Sequence, residues 1–206
     1  NEKRSNVMKW ITPGANLFVS QSLLAATLFL VSVCSVTWGA SPNESIEIRE
    51  AGDRYSLSVP VSRLTMTLPK DNWSPKAKAI GGGTNNPRYF YFADQREASL
   101  LLSGWFEPER LFTGVRQQWE KDAQSWKKRG LPEPVNVSFE KFGGWDTVMY
   151  DHKMGNAVSS HIRAHWVQSG TWIDLHLSTT TYKSSAENRR KLKSLLKGIS
   201  VSEKQP

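Results

Sequence analysis

The stretch from Val135 to Thr181 constrains the fold more than any other part of the chain. Four runs of alternating apolar and polar residues are separated by three turns, each containing glycine: Gly143-Gly144, Met154-Gly155-Asn156 and Ser169-Gly170. Alternation of period two, broken by short glycine turns, predicts an antiparallel meander. A two-residue turn at Ser169-Gly170 pairs Gln168 with Thr171. Trp166 then faces Ile173, Ala164 faces Leu175 and Ile162 faces Leu177, all apolar. On the other face His165 meets Asp174, Arg163 meets His176 and His161 meets Ser178. A slip of one residue scrambles this separation, so the pattern itself fixes the register.

The turn at Gly155 is read as pairing His152 with Val158, Tyr150 with Ser160 and Val148 with Ile162. That register places Trp145, Thr147 and Met149 on the polar face. One surface then gathers Trp145, His161, Arg163, His165, Trp172, Asp174 and His176, and this is the candidate ligand or partner surface.

Two helices frame the rest of the pattern. Glu107 to Arg129 carries an apolar stripe of Phe112, Val115, Trp119, Ala123 and Trp126. Pro108 suits its first turn, Lys127, Lys128 and Arg129 suit its last, and Gly130 and Pro132 end it. Ser184 to Glu187 reads as a capping box that starts a second helix, with Leu192, Leu195, Leu196 and Ile199 facing the core. Upstream, Tyr55–Val59 and Leu64–Leu68 alternate as strands, each closed by a proline. Tyr89–Ala93 and Ser99–Phe106 are apolar on both sides and need cover on both faces. Gly81-Gly82-Gly83 lies in a long loop. It lacks the Lys-Ser/Thr pair and the following helix of a phosphate-binding loop, so a surface loop is the reading adopted.

The first 40 residues read as a leader: a basic end, an apolar run from Leu23 to Val36, and small residues at Thr37, Gly39 and Ala40. A cleaved signal peptide is the preferred reading; an uncleaved anchor and a lipid attached at Cys34 are its alternatives. All three put the following domain outside the inner membrane, because the basic residues come first. Export to the periplasm or beyond is therefore expected, with membrane contact only through this segment. The division expected is a leader or anchor over 1–40, a linker and short strand over 41–54, one domain over 55–201 and a tail over 202–206. Cys34 is the only cysteine, so the domain has no disulfide, thiol nucleophile or cysteine ligand. The formal net charge is +8, a basic bias that favours anionic surfaces without defining a function. Nucleic acid is excluded as a partner by the expected location.

The strand, proline, turn and tryptophan from Leu64 through Pro69 to Trp73, with the order of elements, resemble the PsbP-like fold. The resemblance covers about residues 55–201. It implies an α+β fold, an antiparallel sheet flanked by helices in an α/β/α sandwich, and a binding or accessory role, since members of that fold mostly bind proteins. It transfers no functional residue, and fold analogy alone is a weak warrant for function.

The chemistry of the polar face admits several readings. His161 and His165 are four residues apart on a strand, about 13 Å at about 3.3 Å per residue, so they do not converge on a metal. His165, Asp174 and His176 come closer, but Arg163 repels a cation among them. No metal and no cofactor is therefore assigned. Arginine, tryptophan and histidine suit a protein partner or an anionic ligand. The plain structural reading is a covered polar face with cross-strand His–Asp pairs. Ser178 opposite His161 is a nucleophile–base pair only in principle. No nucleophile elbow, zinc-protease helix or dinucleotide fingerprint is present, and no catalytic residue is assigned. The expectation is an exported, non-catalytic binding or accessory protein. A metal- or small-ligand module is the alternative, and a hydrolase the third.

Overall fold

The computed structural model describes residues 44–76 and 87–204. The leader, Cys34 and Gly81-Gly82-Gly83 lie outside the described residues.

Eleven strands and two helices follow in order: β1 (Glu47–Ala51), β2 (Arg54–Ser58), β3 (Leu64–Pro69), β4 (Trp73–Pro75), β5 (Tyr89–Asp94), β6 (Leu101–Pro108), α1 (Val115–Lys128), β7 (Val135–Phe142), β8 (Trp145–Met154), β9 (Ala157–Gln168), β10 (Thr171–Thr181), α2 (Ser185–Lys197) and β11 (Ser200–Glu203). They build two sheets. The larger has seven strands in the order β4-β5-β6-β10-β9-β8-β7, and the smaller has four in the order β1-β2-β3-β11. Every pairing is antiparallel.

This corrects the expected α/β/α sandwich. Among the described residues the protein is β-rich, with two sheets and only two α-helices, and is not one sheet between helical layers. The core lies between the sheets: Leu57, Leu64, Met66 and Leu68 from the small sheet meet Phe92, Leu102, Phe106, Ile173, Leu175 and Leu177 from the large one. Helix α2 shares the small sheet's layer, inserting Leu192 and Leu196 into the same core. The capping box at its start is present: the Ser184 hydroxyl accepts from the Glu187 N–H, and the Glu187 carboxylate accepts from the Ser184 N–H. Two causes hid the second sheet. β2 and β3 alternate cleanly, but alternation says only that one face is buried, not which sheet a strand joins. β11 is four polar-rich residues with no pattern of its own, and pairing with β3 makes it a strand. It draws Ser202 and Glu203, expected as tail, into the small sheet.

Gly104 shows how tightly this core closes. A Cβ there would collide with the Asp174 carbonyl and lie 2.6 Å from the Phe90 ring. The glycine lets an aromatic ring lie directly on the β6–β10 backbone.

Candidate functional site

The predicted register of β9 and β10 is the observed one. Gln168 pairs with Thr171, Trp166 with Ile173, Ala164 with Leu175, Ile162 with Leu177, His165 with Asp174, Arg163 with His176 and His161 with Ser178. Ser169 and Gly170 both have positive φ, as a tight two-residue turn between twisted strands requires.

The β8–β9 register differs by one residue. Met154 pairs with Ala157, so the turn is only Gly155-Asn156, with Gly155 at φ 61°. Tyr150 therefore meets His161, Val148 meets Arg163 and Met149 meets Ile162. Every β8 side chain moves to the other face. Trp145 is not part of the histidine surface; it is 1% exposed in the inter-sheet core, where its ring lies 5.4 Å from that of Trp166. Tyr150 and His152 take its place, and all four histidines now share one face.

Helix α1 covers part of that face. It starts at Val115, later than expected, because Glu107 and Pro108 remain in β6, paired with Trp172 and Thr171 of β10. Phe112 precedes the helix and packs on His165 and Trp172, at 5.4 and 5.3 Å between ring centres. Trp119 packs on Tyr150 and Phe139, and Trp126 on Tyr150 and His152. The aromatic stripe covers part of the face, although no residue of α1 is fully buried.

Beneath this cover the polar groups form two networks. In the first, Arg163 donates one terminal nitrogen to Asp122 of α1 and the other to Asp174 of β10. Burial opposes the arginine's charge, but the two carboxylates more than offset it and raise its pKa above the ordinary value. Burial also raises the Asp122 carboxyl, against the pull of Arg163. Both terminal nitrogens of Arg163 are thus taken, and an anion placed there would face two carboxylates. Trp172 donates its indole proton to His165 Nδ1 at 3.2 Å. That bond leaves Nδ1 without a proton, so the 3.5 Å separation from Asp174 Oδ1 is not a hydrogen bond. Asp174 Oδ1 is buried without a partner.

The second network runs along the histidines. Thr180 donates to the Ser159 hydroxyl at 2.8 Å, Ser159 Oγ lies 2.9 Å from His161 Nε2, and His161 Nδ1 lies 3.0 Å from His176 Nε2. The two imidazoles are within 5° of coplanar with centres 5.2 Å apart. With a nitrogen–nitrogen distance of 3.0 Å, this is an edge-to-edge hydrogen bond in a common plane rather than a face-to-face stack. The contacts are satisfied with protons passed from Thr180 to Ser159, Ser159 to His161 and His161 to His176, and equally with the two histidine bonds reversed, since the Ser159 oxygen can accept twice. Burial pushes His161 and His165 down to about 4, and holds His176 well below the ordinary imidazole value. All three are neutral near pH 7.

The expected residues therefore divide. His161, Arg163, His165, Trp172, Asp174 and His176 are brought together, and Trp145 is not. Asp122, Tyr150, His152 and Ser159 were missed. Asp122 follows Trp119 by three residues, on the same side of α1, so helical spacing carried a signal for it. Ser178 is His161's cross-strand neighbour, but the ring turns to Ser159 instead. Among the described residues, no group of three or more His, Cys, Asp or Glu converges as metal ligands. No helix among them is long and apolar enough to cross a membrane.

A separate feature lies beside α1. Trp119, Ala123, Trp126, Leu131, Pro132, Pro134 and Val137, with Gln124, Lys127 and Glu133 among them, line a mostly apolar open groove of about 330 Å³ between α1, the following loop and β7. Leu131 and Val137 are 45% and 39% exposed, high for large apolar side chains.

No family model and no curated protein matches this chain. A crystal structure from Bacteroides thetaiotaomicron VPI-5482, at 1.50 Å resolution, is similar over 69% of this chain and 46% of its own, with 12% identity and a TM-score of 0.40. The chain spans less than half the length of that neighbour. A likeness this slight bears on neither fold nor function.

Proposed function

We propose that this is an exported, non-catalytic binding or accessory protein whose contact surface is the groove beside α1. The observation that carries this reading is the groove itself, where exposed Leu131 and Val137 border an apolar concavity. The polar face first singled out supports the groove from behind. Its arginine is held by two carboxylates, its histidines bond to one another, and its tryptophan bonds to His165. The test is a photo-crosslinking residue placed in turn at Leu131, at Val137 and at the 86%-exposed Tyr182, in cells making the full chain. Discrete adducts at the two groove positions and none at Tyr182 are expected. Equal labelling at all three positions refutes the surface.

A second reading has one specific observation in its favour. Ser159, His161 and His176 have the contacts of a nucleophile, its base and the group that orients the base. Against it, Ser159 is only 6% exposed and is engaged by Thr180. It also sits inside β9, paired on both sides, so neighbouring N–H groups serve the ladders and not an oxyanion. Ester hydrolysis that disappears in Ser159→Ala would establish the hydrolase and overturn the non-catalytic reading.

A further inference from the structure

The two sheets have four edges, formed by β4, β7, β1 and β11. β4 has three residues and ends in Pro75, β11 has four and β1 has five. β7 has eight. A long open edge is a template for another strand unless it is guarded. Its first half is guarded: the ladder is irregular between Val135 and Ser138, Asn136 has φ 55°, and Arg189 of α2 donates to the Asn136 carbonyl.

The second half is open. Phe142 pairs with Trp145 across the two-residue Gly143-Gly144 turn, so these two exchange hydrogen bonds, and so do Glu140 and Thr147. Phe139 and Lys141 alternate with them and turn their N–H and C=O groups outward. No other strand pairs with β7 among the described residues. The open edge leads into the groove: the Phe139 ring packs against Trp119, which also lines the groove, and Val137 is the groove's β7 wall.

The surroundings are basic on balance: Glu133 lines the groove, but so does Lys127. Arg116 lies over the Phe139 ring at 4.4 Å. Lys127, Lys128 and Arg129 crowd the end of α1, and none of them is in an ion pair among the described residues. Two copies brought together here would repel, whereas an acidic segment is attracted.

We infer that the open edge of β7 and the groove beside it form one docking site for an extended segment of an acidic partner protein, which joins the large sheet as an additional strand. Main-chain hydrogen bonds to Phe139 and Lys141 hold the segment. Its alternate apolar side chains enter the groove against Val137, Leu131 and Trp119, and its flanking carboxylates meet the basic end of α1. This rests on the groove being the contact surface, and adds how the partner is bound and of what kind it is.

The probe is a short fluorescent peptide of alternating valine and threonine with glutamates at both ends, titrated into the full chain. Saturable binding is expected, with slowed amide exchange at Phe139 and Lys141. Lys141→Pro removes an outward N–H without touching the β7–β8 ladder, and is expected to weaken binding at least tenfold. Lys141→Gln, which keeps the N–H, is expected to weaken it less than threefold. Val137→Asp blocks the groove and is expected to abolish binding, with circular dichroism unchanged in all three variants. Binding that survives Lys141→Pro but not Val137→Asp overturns strand addition and leaves the groove as contact surface. Binding indifferent to both removes the groove as well. Absence of peptide binding overturns the inference, and so does a dimer in sedimentation that Lys141→Pro dissolves, because the occupant would then be a second copy.

Discussion

The two faces of the seven-stranded sheet stand in contrast. The inner face is apolar and closed. Ile162, Ala164, Ile173, Leu175 and Leu177 are each at most 1% exposed against the small sheet and α2. The outer face, on the same strands, is built from histidines, an arginine and an aspartate under a helix that has no fully buried residue. On the inner face, area removed from water supplies the stability, at about 25 cal/mol per Å². On the outer face, attraction and desolvation nearly cancel. The Arg163 network is expected to specify where α1 sits more than it adds to stability, and the rings of Phe112, Trp119 and Trp126 supply the apolar burial there. Recognition is proposed to lie beside that helix.

The comparison is broken most sharply by deleting inner-face volume. Phe92→Ala is expected to cost about 3–5 kcal/mol in denaturant unfolding, because its site is fully enclosed. A loss below about 1 kcal/mol would mean that the inner face is not the stabilising one. Next is Arg163→Ala, which strands Asp122 and Asp174 beneath α1. About 3 kcal/mol is expected, at the lower end for a broken buried pair because Arg163 keeps some solvent contact. Replacing Asp122, Arg163 and Asp174 together with leucine, methionine and leucine is expected to restore stability to within about 1 kcal/mol of the parent. A triple variant as unstable as Arg163→Ala would show that the network is net stabilising.

Acid is expected to separate the faces next. His161 and His165 sit near 4 in the folded protein, against about 6.5 when unfolded. Between those values the unfolded chain binds more protons, so stability falls as pH drops from about 6.5 to about 4, at up to about 1.4 kcal/mol per unit for each histidine. Discounting for their residual solvent contact reduces this most for His161. Asp122 works the other way, since its raised carboxyl takes a proton more readily when folded, but it is one group against four histidines, His152 and His176 being lowered as well. Urea midpoints measured from pH 7 to 4 test the slope, and a flat profile would contradict neutral, buried histidines. The smallest effect belongs to the inner layer's helix. Ser184→Ala removes the α2 cap and is expected to cost about 1 kcal/mol, read in the same unfolding curves.

Much of this was legible in the chain. The β9–β10 pairs were readable because one residue of slip mixes leucines with histidines, so the pattern carries its own check. At Gly155 no such check exists. Trp145, Thr147 and Met149 on one side and Val148 and Tyr150 on the other are similarly apolar, and either register looks acceptable. Only the turn length decides, and Met154-Gly155-Asn156 offers two. The same ambiguity concealed Tyr150 and His152 as members of the polar face. The second sheet was hidden for another reason. β11 becomes a strand only through its partner β3, far away in sequence, and local pattern does not report such a pairing.

That distant pairing has a consequence for how the molecule is made. Leu64 pairs with Glu203, so the small sheet joins an early strand to the last described one. A ribosome delivers β1, β2 and β3 long before β11, and in the interval Met66 and Leu68 have no finished layer to enter. The emerging polypeptide is therefore expected to be an open intermediate with apolar strands on display until β11 is free. Losing only β11 would leave the newborn chain in that state.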